Sequence, residues 1–400
     1  MNEIKRSPSY KNKSDFHLAI DATNIRQGGG VTHLSQLLQA AKPIQHNITL
    51  VTVWTCNSTA DLLPTYPWLS IRSNFWIEAS LPYRLFYQQF ILPKEITKEG
   101  CDVVFSPGGT LPKVSLPTIT MSQNMLPFEP NEASRFGRFS IMRCKMYLLR
   151  HIQSASFKRA NGIIFLTNYA QKTVSQTLGG TSALQALVPH GIESRFRLKP
   201  RAQRNTTECS YLEPFKLLYV SILMPYKHQI EVAKAIFQLR AGGLPIEIQF
   251  VGATWGSYGE KFKNYLNILD PKRTFLHWSG SEPFSKLHEF YKHADMFVFA
   301  SSCENLPNIM IEAMASGLPI VCSDHGPMPE VLGDAGGYFD PNDSASIAVA
   351  IKKLVLNTKL RESIAEKAWV ISKKYSWDDC ANETFKFIAT VASKKFINRN

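Results

Sequence analysis

The sequence predicts an α/β protein made of two Rossmann-like domains that face a central cleft. Three observations carry this. The chain has 400 residues, more than one ordinary core uses and about right for two domains. Short apolar strands alternate with helical patterns, which implies parallel sheets covered on both faces. The alternation is broken once, by the polar stretch Lys199–Pro214 ("KPRAQRNTTECSYLEP"), and then restarts.

In chain order, the first strand is "FHLAIDA" (Phe16–Ala22). The glycine loop "RQGGG" and the helical "VTHLSQLLQAAK" follow it. Further strands are "ITLVTVW", "CDVVFSP", "PTITMSQ" and "GIIFLT" (Gly162–Thr167). After the break come strand "FKLLYVS", helix "HQIEVAKAIFQLRAGG", strands "IEIQFVGA" and "RTFLHWSG", helix "PFSKLHEFYKHA" and strand "DMFVFAS". The helix "IMIEAMASG" stops at Gly317, with Pro319 two residues on, and strand "LPIVCSD" follows. The expected boundaries are residues 1–198 (with 1–15 flexible), a linker at 199–214, a second domain at 215–376, and a C-terminal helix at 377–400 that packs back on the first domain. Ligands of such sheets bind beyond the carboxyl ends of the strands, here in the cleft.

Composition narrows the class. Apolar residues make up 44% and charged residues 19%, which describes a globular chain. Lys and Arg number 45 against 32 Asp and Glu, for a formal charge of +13 that favours anionic partners. No nucleic-acid recognition motif accompanies that charge, so no nucleic-acid partner is expected. The N-terminus "MNEIKRSPSYKNKSDF" has no apolar core of a secretory signal, and no stretch is long and apolar enough to span a membrane. Seven scattered cysteines without a C-x-x-C pair fit a reducing compartment.

The chemistry concentrates in "ASSCENLPNIMIEAMASGLPIVCSD" (Ala300–Asp324). Glu304 falls in the strand-to-helix loop and Glu312 about two turns into the helix. Eight residues apart, the two share a helical face, so both carboxylates can reach the cleft. The plainer reading, a cap and an exposed glutamate, fits poorly beside Met310, Ile311, Ala313 and Met314. Carboxylates accept hydrogen bonds from vicinal hydroxyls, and a helix N-terminus suits a phosphate. Hydroxyls plus phosphate describe a nucleotide sugar.

"ENLPNIMIEAMASGLPIVCSD" resembles the E-x7-E motif of retaining glycosyltransferases of family 4, which have the GT-B fold. "GGG", "HGIESRF" (His190–Phe196), "VSILMPYKHQ" and "LHEFYKHADMFVFAS" extend the resemblance over nearly the whole chain. It implies that Glu304 contacts the donor sugar and Glu312 the ribose. It also implies that Lys227 neutralises the diphosphate, and that Asn305, Leu306, Pro307, Asn308 and Ser221 serve donor binding. Gly29 and Gly30 would lie on the acceptor side. The family's Gly-Arg is replaced by Ser221–Ile222, so a diphosphate arginine is missing. Gln123 and Asn124 stand where many members carry a histidine, and Asn124 is retained only as a cleft candidate.

The implied activity is metal-independent transfer of a sugar, with retention, from a nucleotide-sugar donor to a saccharide or lipid-linked acceptor in bacterial surface polysaccharide assembly. No cofactor or metal is expected: the sequence has no D-x-D to hold a divalent ion on the diphosphate. A nucleotide-sugar epimerase of the same fold and a non-catalytic nucleotide-sugar-binding protein are the alternatives. The stretch Ser134–Arg159 has seven Lys or Arg and no acid, with Phe139, Met142, Met146, Leu149 and Ile152 at helical spacing. With the aromatic-rich Phe75–Phe90 it suggests docking on an anionic membrane surface through Arg135, Arg138, Arg143 and Lys145. The expected location is cytoplasmic, on the inner face of the membrane.

Overall fold

The computed structural model describes residues 15–397. Residues 1–14, most of the segment expected to be flexible, and residues 398–400 lie outside it.

Two all-parallel sheets make up the molecule. The N-terminal sheet has seven strands in the order β3-β2-β1-β4-β5-β6-β7. These are β1 (Phe16–Asp21), β2 (Ile48–Trp54), β3 (Leu69–Arg72), β4 (Val103–Ser106), β5 (Thr118–Met121), β6 (Gly162–Phe165) and β7 (Leu184–Leu187). The C-terminal sheet has six, in the order β10-β9-β8-β11-β12-β13. These are β8 (Phe215–Val220), β9 (Ile246–Val251), β10 (Leu276–Trp278), β11 (Met296–Phe299), β12 (Ile320–Ser323) and β13 (Gly337–Phe339). In both sheets the order reverses beside the first strand, at β1/β4 and at β8/β11. A crevice opens at such a point.

The central strands are buried along their whole length, as continuous apolar runs require: β1, β4, β5, β6, β11 and β12 are buried at every residue. Three strands, β3, β7 and β13, have no counterpart in the sequence reading. Each is at a sheet edge, three or four residues long, and partly exposed. An edge strand needs one partner and one covered face, so its sequence carries no continuous apolar run.

The chain crosses between domains twice, side by side, at Gly191 and Trp377. A Cβ on Gly191 would lie 2.2 Å from the Trp377 nitrogen, so only glycine allows this approach. The Ile192 N–H and the Arg197 guanidinium both donate to the Tyr375 carbonyl, at 3.2 and 2.7 Å. Beyond the crossing, the helix Trp377–Ile397 packs on the N-terminal domain against the helix Gly29–Ala40 and strands β4, β5 and β6. The linker is tied to the C-terminal domain by the fully buried Arg361, which donates to the carbonyls of Leu354, Val355 and Arg204.

Candidate active site between the two domains

A cavity of about 700 Å³ lies where the two switch points face each other. The C-terminal domain lines it with Ser221, Gly252, Glu282, Glu304, Leu306, Pro307, Asn308 and Glu312. The N-terminal domain adds Arg26, Gly28, Gly29, His33 and His190, and Trp377 also lines it.

The two glutamates expected to converge do so. The helix that carries Glu312 begins at Asn308, so Glu312 is its fifth residue, one turn in rather than two. Its carboxylate accepts a hydrogen bond from the Tyr291 hydroxyl at 2.9 Å. Burial pushes its pKa up to about 8, with the Tyr291 bond opposing the shift. Glu304 is paired differently: the Lys227 ammonium donates to its Oε1. Lys227 follows β8 on a short 3-10 turn and is buried. It does not line the cavity, contrary to the expectation that it meets a diphosphate directly. A buried ammonium is costly unless paired, and Glu304 is the acid it pairs with.

Four further expectations change. Asn305 points away from the cavity and donates to Ser122 of the N-terminal domain. The N–H of Asn308 turns back to the Leu306 carbonyl, and Ile311 N–H makes the first bond of the helix, to Pro307. The first-turn amides left for a ligand are therefore those of Ile309 and Met310. Asn124 caps its own turn, accepting from the Leu126 N–H at 3.1 Å, and does not line the cavity. Its neighbour Gln123 reaches inward instead, to His33 Nδ1 at 3.2 Å, and lies near Gly30. Ser221 and Gly29 line the cavity as expected, and Gly30, expected beside Gly29, does not.

The sequence reading missed several wall residues. Gly252 follows β9 with φ 150°, and a Cβ there would lie 1.9 Å from the Ser221 carbonyl oxygen. A glycine just past a strand was the available signal. Arg26 brings a guanidinium to the cavity, held by the Ile77 carbonyl at 3.1 Å and the Glu78 carboxylate at 3.2 Å. His33, His190 and Trp377 form a ring stack across the domain seam, with His33–His190 centroids 4.5 Å apart and His190–Trp377 centroids 5.7 Å apart. Burial lowers His33 to about 4 and His190 well below its usual value, so both rings are neutral. His33 Nε2, His190 Nε2 and Trp377 Nε1 have no hydrogen-bond partner among the described residues. Nothing in the local sequence signals this stack, because its members lie far apart in the chain.

The membrane-facing set divides. Arg138, Arg143 and Lys145 are exposed. Arg135 does not belong with them: it pairs with Glu132 at 2.7 Å and donates to Asn342 of the C-terminal domain at 2.7 Å. The helix starts at Ile141, capped by Ser140, so Phe139 precedes it and is 90% exposed. Met146 is buried, Met142 and Leu149 are partly buried, and Ile152 is exposed. The expected apolar stripe is therefore narrower, and Ile141, Tyr147 and Leu148 are exposed as well.

Two parallel-sheet domains facing a shared cleft define the GT-B class of α/β protein. Within it, residues 207–369 match the family described as "Glycosyl transferases group 1". Over 110 residues the chain is 34% identical to the O-antigen chain mannosyltransferase B of Escherichia coli, covering 28% of this chain and 29% of that protein. The chain thus spans less than a third of that relative's length. Its fold resembles sucrose-phosphate synthase from Thermosynechococcus elongatus, with a TM-score of 0.72 at 14% identity over 96% of this chain and all of that one. It also resembles Anabaena HepE, solved with UDP and glucose, with a TM-score of 0.65 at 16% identity over 96% of this chain and 99% of that one.

Proposed function

We propose that this chain is a retaining glycosyltransferase of family 4 that moves a hexosyl group from a nucleotide-sugar donor to a saccharide or lipid-linked saccharide. The observation that carries this reading is the pair Glu304 and Glu312, which reaches one interdomain cavity from a single loop and helix. The named activity of the mannosyltransferase relative and the UDP and glucose held by HepE support it.

In this reading Glu312 accepts hydrogen bonds from the ribose hydroxyls and Glu304 from the donor sugar. The first-turn amides of the helix Asn308–Ala315, with the N-terminus of the helix Gly29–Ala40, offset the charge of the leaving diphosphate. Arg26, which lines the same cavity and is paired with Glu78, adds a cation from the N-terminal domain. The reaction proceeds without a metal ion. The acceptor hydroxyl attacks the face from which the diphosphate departs, and its proton passes to the departing phosphate oxygen. Configuration is thereby retained.

The role assigned is assembly of a bacterial surface polysaccharide at the inner face of the membrane. Two adjoining surfaces support the location. Phe75, Tyr83, Phe86 and Phe90 are exposed aromatics, and Arg138, Arg143 and Lys145 are exposed cations. Gln89 from the first region and Arg159 from the second both donate to the Leu111 carbonyl, so the two meet there. No helix among the described residues is long and apolar enough to cross a membrane.

The test is a screen of UDP-, GDP-, dTDP- and ADP-sugars by thermal shift, followed by assay of nucleoside diphosphate release. A donor at a hundredfold its dissociation constant adds about 2.7 kcal/mol of stability. Release that depends on an added acceptor supports transfer. Epimerised donor without release points to the epimerase, and binding without any turnover to a non-catalytic protein.

A further inference from the structure

Glu304 sits on a loop whose neighbours are bound to the other domain. On one side, the Ser302 hydroxyl donates to the carboxylate of Glu132. On the other, Asn305 Nδ2 donates to the Ser122 carbonyl at 3.0 Å and lies 3.3 Å from its hydroxyl oxygen, while the Thr167 hydroxyl donates to the Asn305 carbonyl at 3.0 Å. Glu132, Ser122 and Thr167 belong to the N-terminal domain. All five of these side chains are buried, so water does not compete for the bonds.

The same network reaches Lys227. A serine hydroxyl has one proton, and that of Ser302 goes to Glu132. The His228 Nε2, 3.0 Å from the Ser302 oxygen, must therefore be the donor in that contact. His228 is held in a left-handed backbone conformation, φ 50°, directly after Lys227. The chain of contacts thus runs from Arg135 through Glu132 and Ser302 to His228, one residue from the ammonium that grips Glu304.

We infer that Glu132 and Ser122 of the N-terminal domain are positioning residues for the Glu304–Lys227 pair, acting through Ser302, His228 and Asn305. Each carboxylate has its direct partner in its own domain, Lys227 for Glu304 and Tyr291 for Glu312. The helix of Glu312 also meets the N-terminal domain, where Asn308 lies 3.3 Å from His190. What the opposite domain adds at Glu304 is a hold on the loop residues either side of it. Through Ser302 and Asn305, which do not touch Glu312, holding the donor's sugar therefore depends on the seating of the two domains. The inference rests on the donor-binding reading above.

The experiment compares wild type with Ser302→Ala, Asn305→Ala and the conservative Ser302→Thr. The first measurement needs no ligand: amide hydrogen exchange over residues 303–306. Exchange should accelerate in the two alanine variants and stay near wild type in Ser302→Thr. The second measurement is the ratio of affinities for a nucleotide sugar and for its parent nucleoside diphosphate. That ratio should fall about tenfold in the alanine variants, the weight of one charge-assisted hydrogen bond, and Ser302→Thr should restore it. Affinity for the nucleoside diphosphate itself should change less than about twofold, well under the weight of one such bond. Unchanged exchange overturns the anchoring. Equal loss of sugar and nucleotide affinity, tracking loss of folded protein, shows ordinary structural bonds and overturns the positioning role. If wild type binds no nucleotide, the donor reading fails, and the exchange data still decide whether the opposite domain holds this loop.

Discussion

On the C-terminal side of the cavity two acids are held by a partner, Glu304 by Lys227 and Glu312 by Tyr291, beside Glu282 and the neutral Ser221 and Asn308. On the N-terminal side the wall has no acid: it includes two glycines, two neutral imidazoles and one arginine held by its own domain. The two held acids come from one continuous stretch of nine residues, 304–312, whereas His33, His190 and Trp377 are gathered from across the chain. The difference is one of charge and of assembly. A charged wall selects by its carboxylates and responds to pH. A wall of rings and glycine, whose one charge is the paired Arg26, selects mainly by shape and leaves little for pH to change.

The largest break in this contrast should come from Glu304→Ala. It leaves the buried Lys227 ammonium unpaired, which costs about 3–5 kcal/mol when such a pair is broken from one side. Transfer should fall at least about a hundredfold, as when a group aimed at the reacting centre is lost. Thermal melts and single-turnover assays measure the two effects. The double variant Glu304→Gln/Lys227→Met should recover much of the stability and none of the activity.

Glu312→Gln sharpens the contrast through pH. The folded protein holds the Glu312 proton up to about pH 8, while the unfolded chain releases it near 4.5. The folded state thus loses stability relative to the unfolded one as pH rises from about 4.5 to 8. The glutamine variant escapes this loss, so without ligand it should be more stable than wild type at pH 8 by a few kcal/mol and no more stable at pH 4. Its nucleoside diphosphate affinity should fall about tenfold, since a ribose hydroxyl loses a charged acceptor. For wild type that affinity should rise with pH toward 8, as the carboxyl ionises. Urea melts and calorimetry across pH check both statements, and a glutamine variant with wild-type affinity would remove the ribose assignment.

On the opposite wall, His190→Asn should leave nucleotide affinity within about threefold, because a neutral ring contributes no charge. Its effect should appear in the acceptor KM. Equal effects on both substrates would mean that the two walls do not divide the work.

The smallest effect on the cavity belongs to Arg138, Arg143 and Lys145. Changing all three to Gln should weaken binding to anionic vesicles by about 1 kcal/mol per charge, with the loss fading as salt rises. Donor affinity should not change. Adding Arg135→Gln should alter more than vesicle binding, since Arg135 holds Glu132 and reaches Asn342 across the domain seam.

By itself the sequence determined the two α/β halves, the break between them, and a loop and helix bearing Glu304 and Glu312. These are local matters. Apolar runs bounded by glycine and proline specify strands and helix ends, and eight residues on one backbone keep two carboxylates on one side. What lies at the sheet edges was not legible, because strands such as β3 and β13 are short and take their order from a neighbour. Nor did spacing show that Lys227 would be spent on Glu304, that Asn305 would turn to Ser122, or that Arg135 would leave the basic face for Glu132. Those outcomes belong to the tertiary structure. Burial makes an unpaired charge or amide costly, and which partner is nearest depends on how two distant segments are brought together.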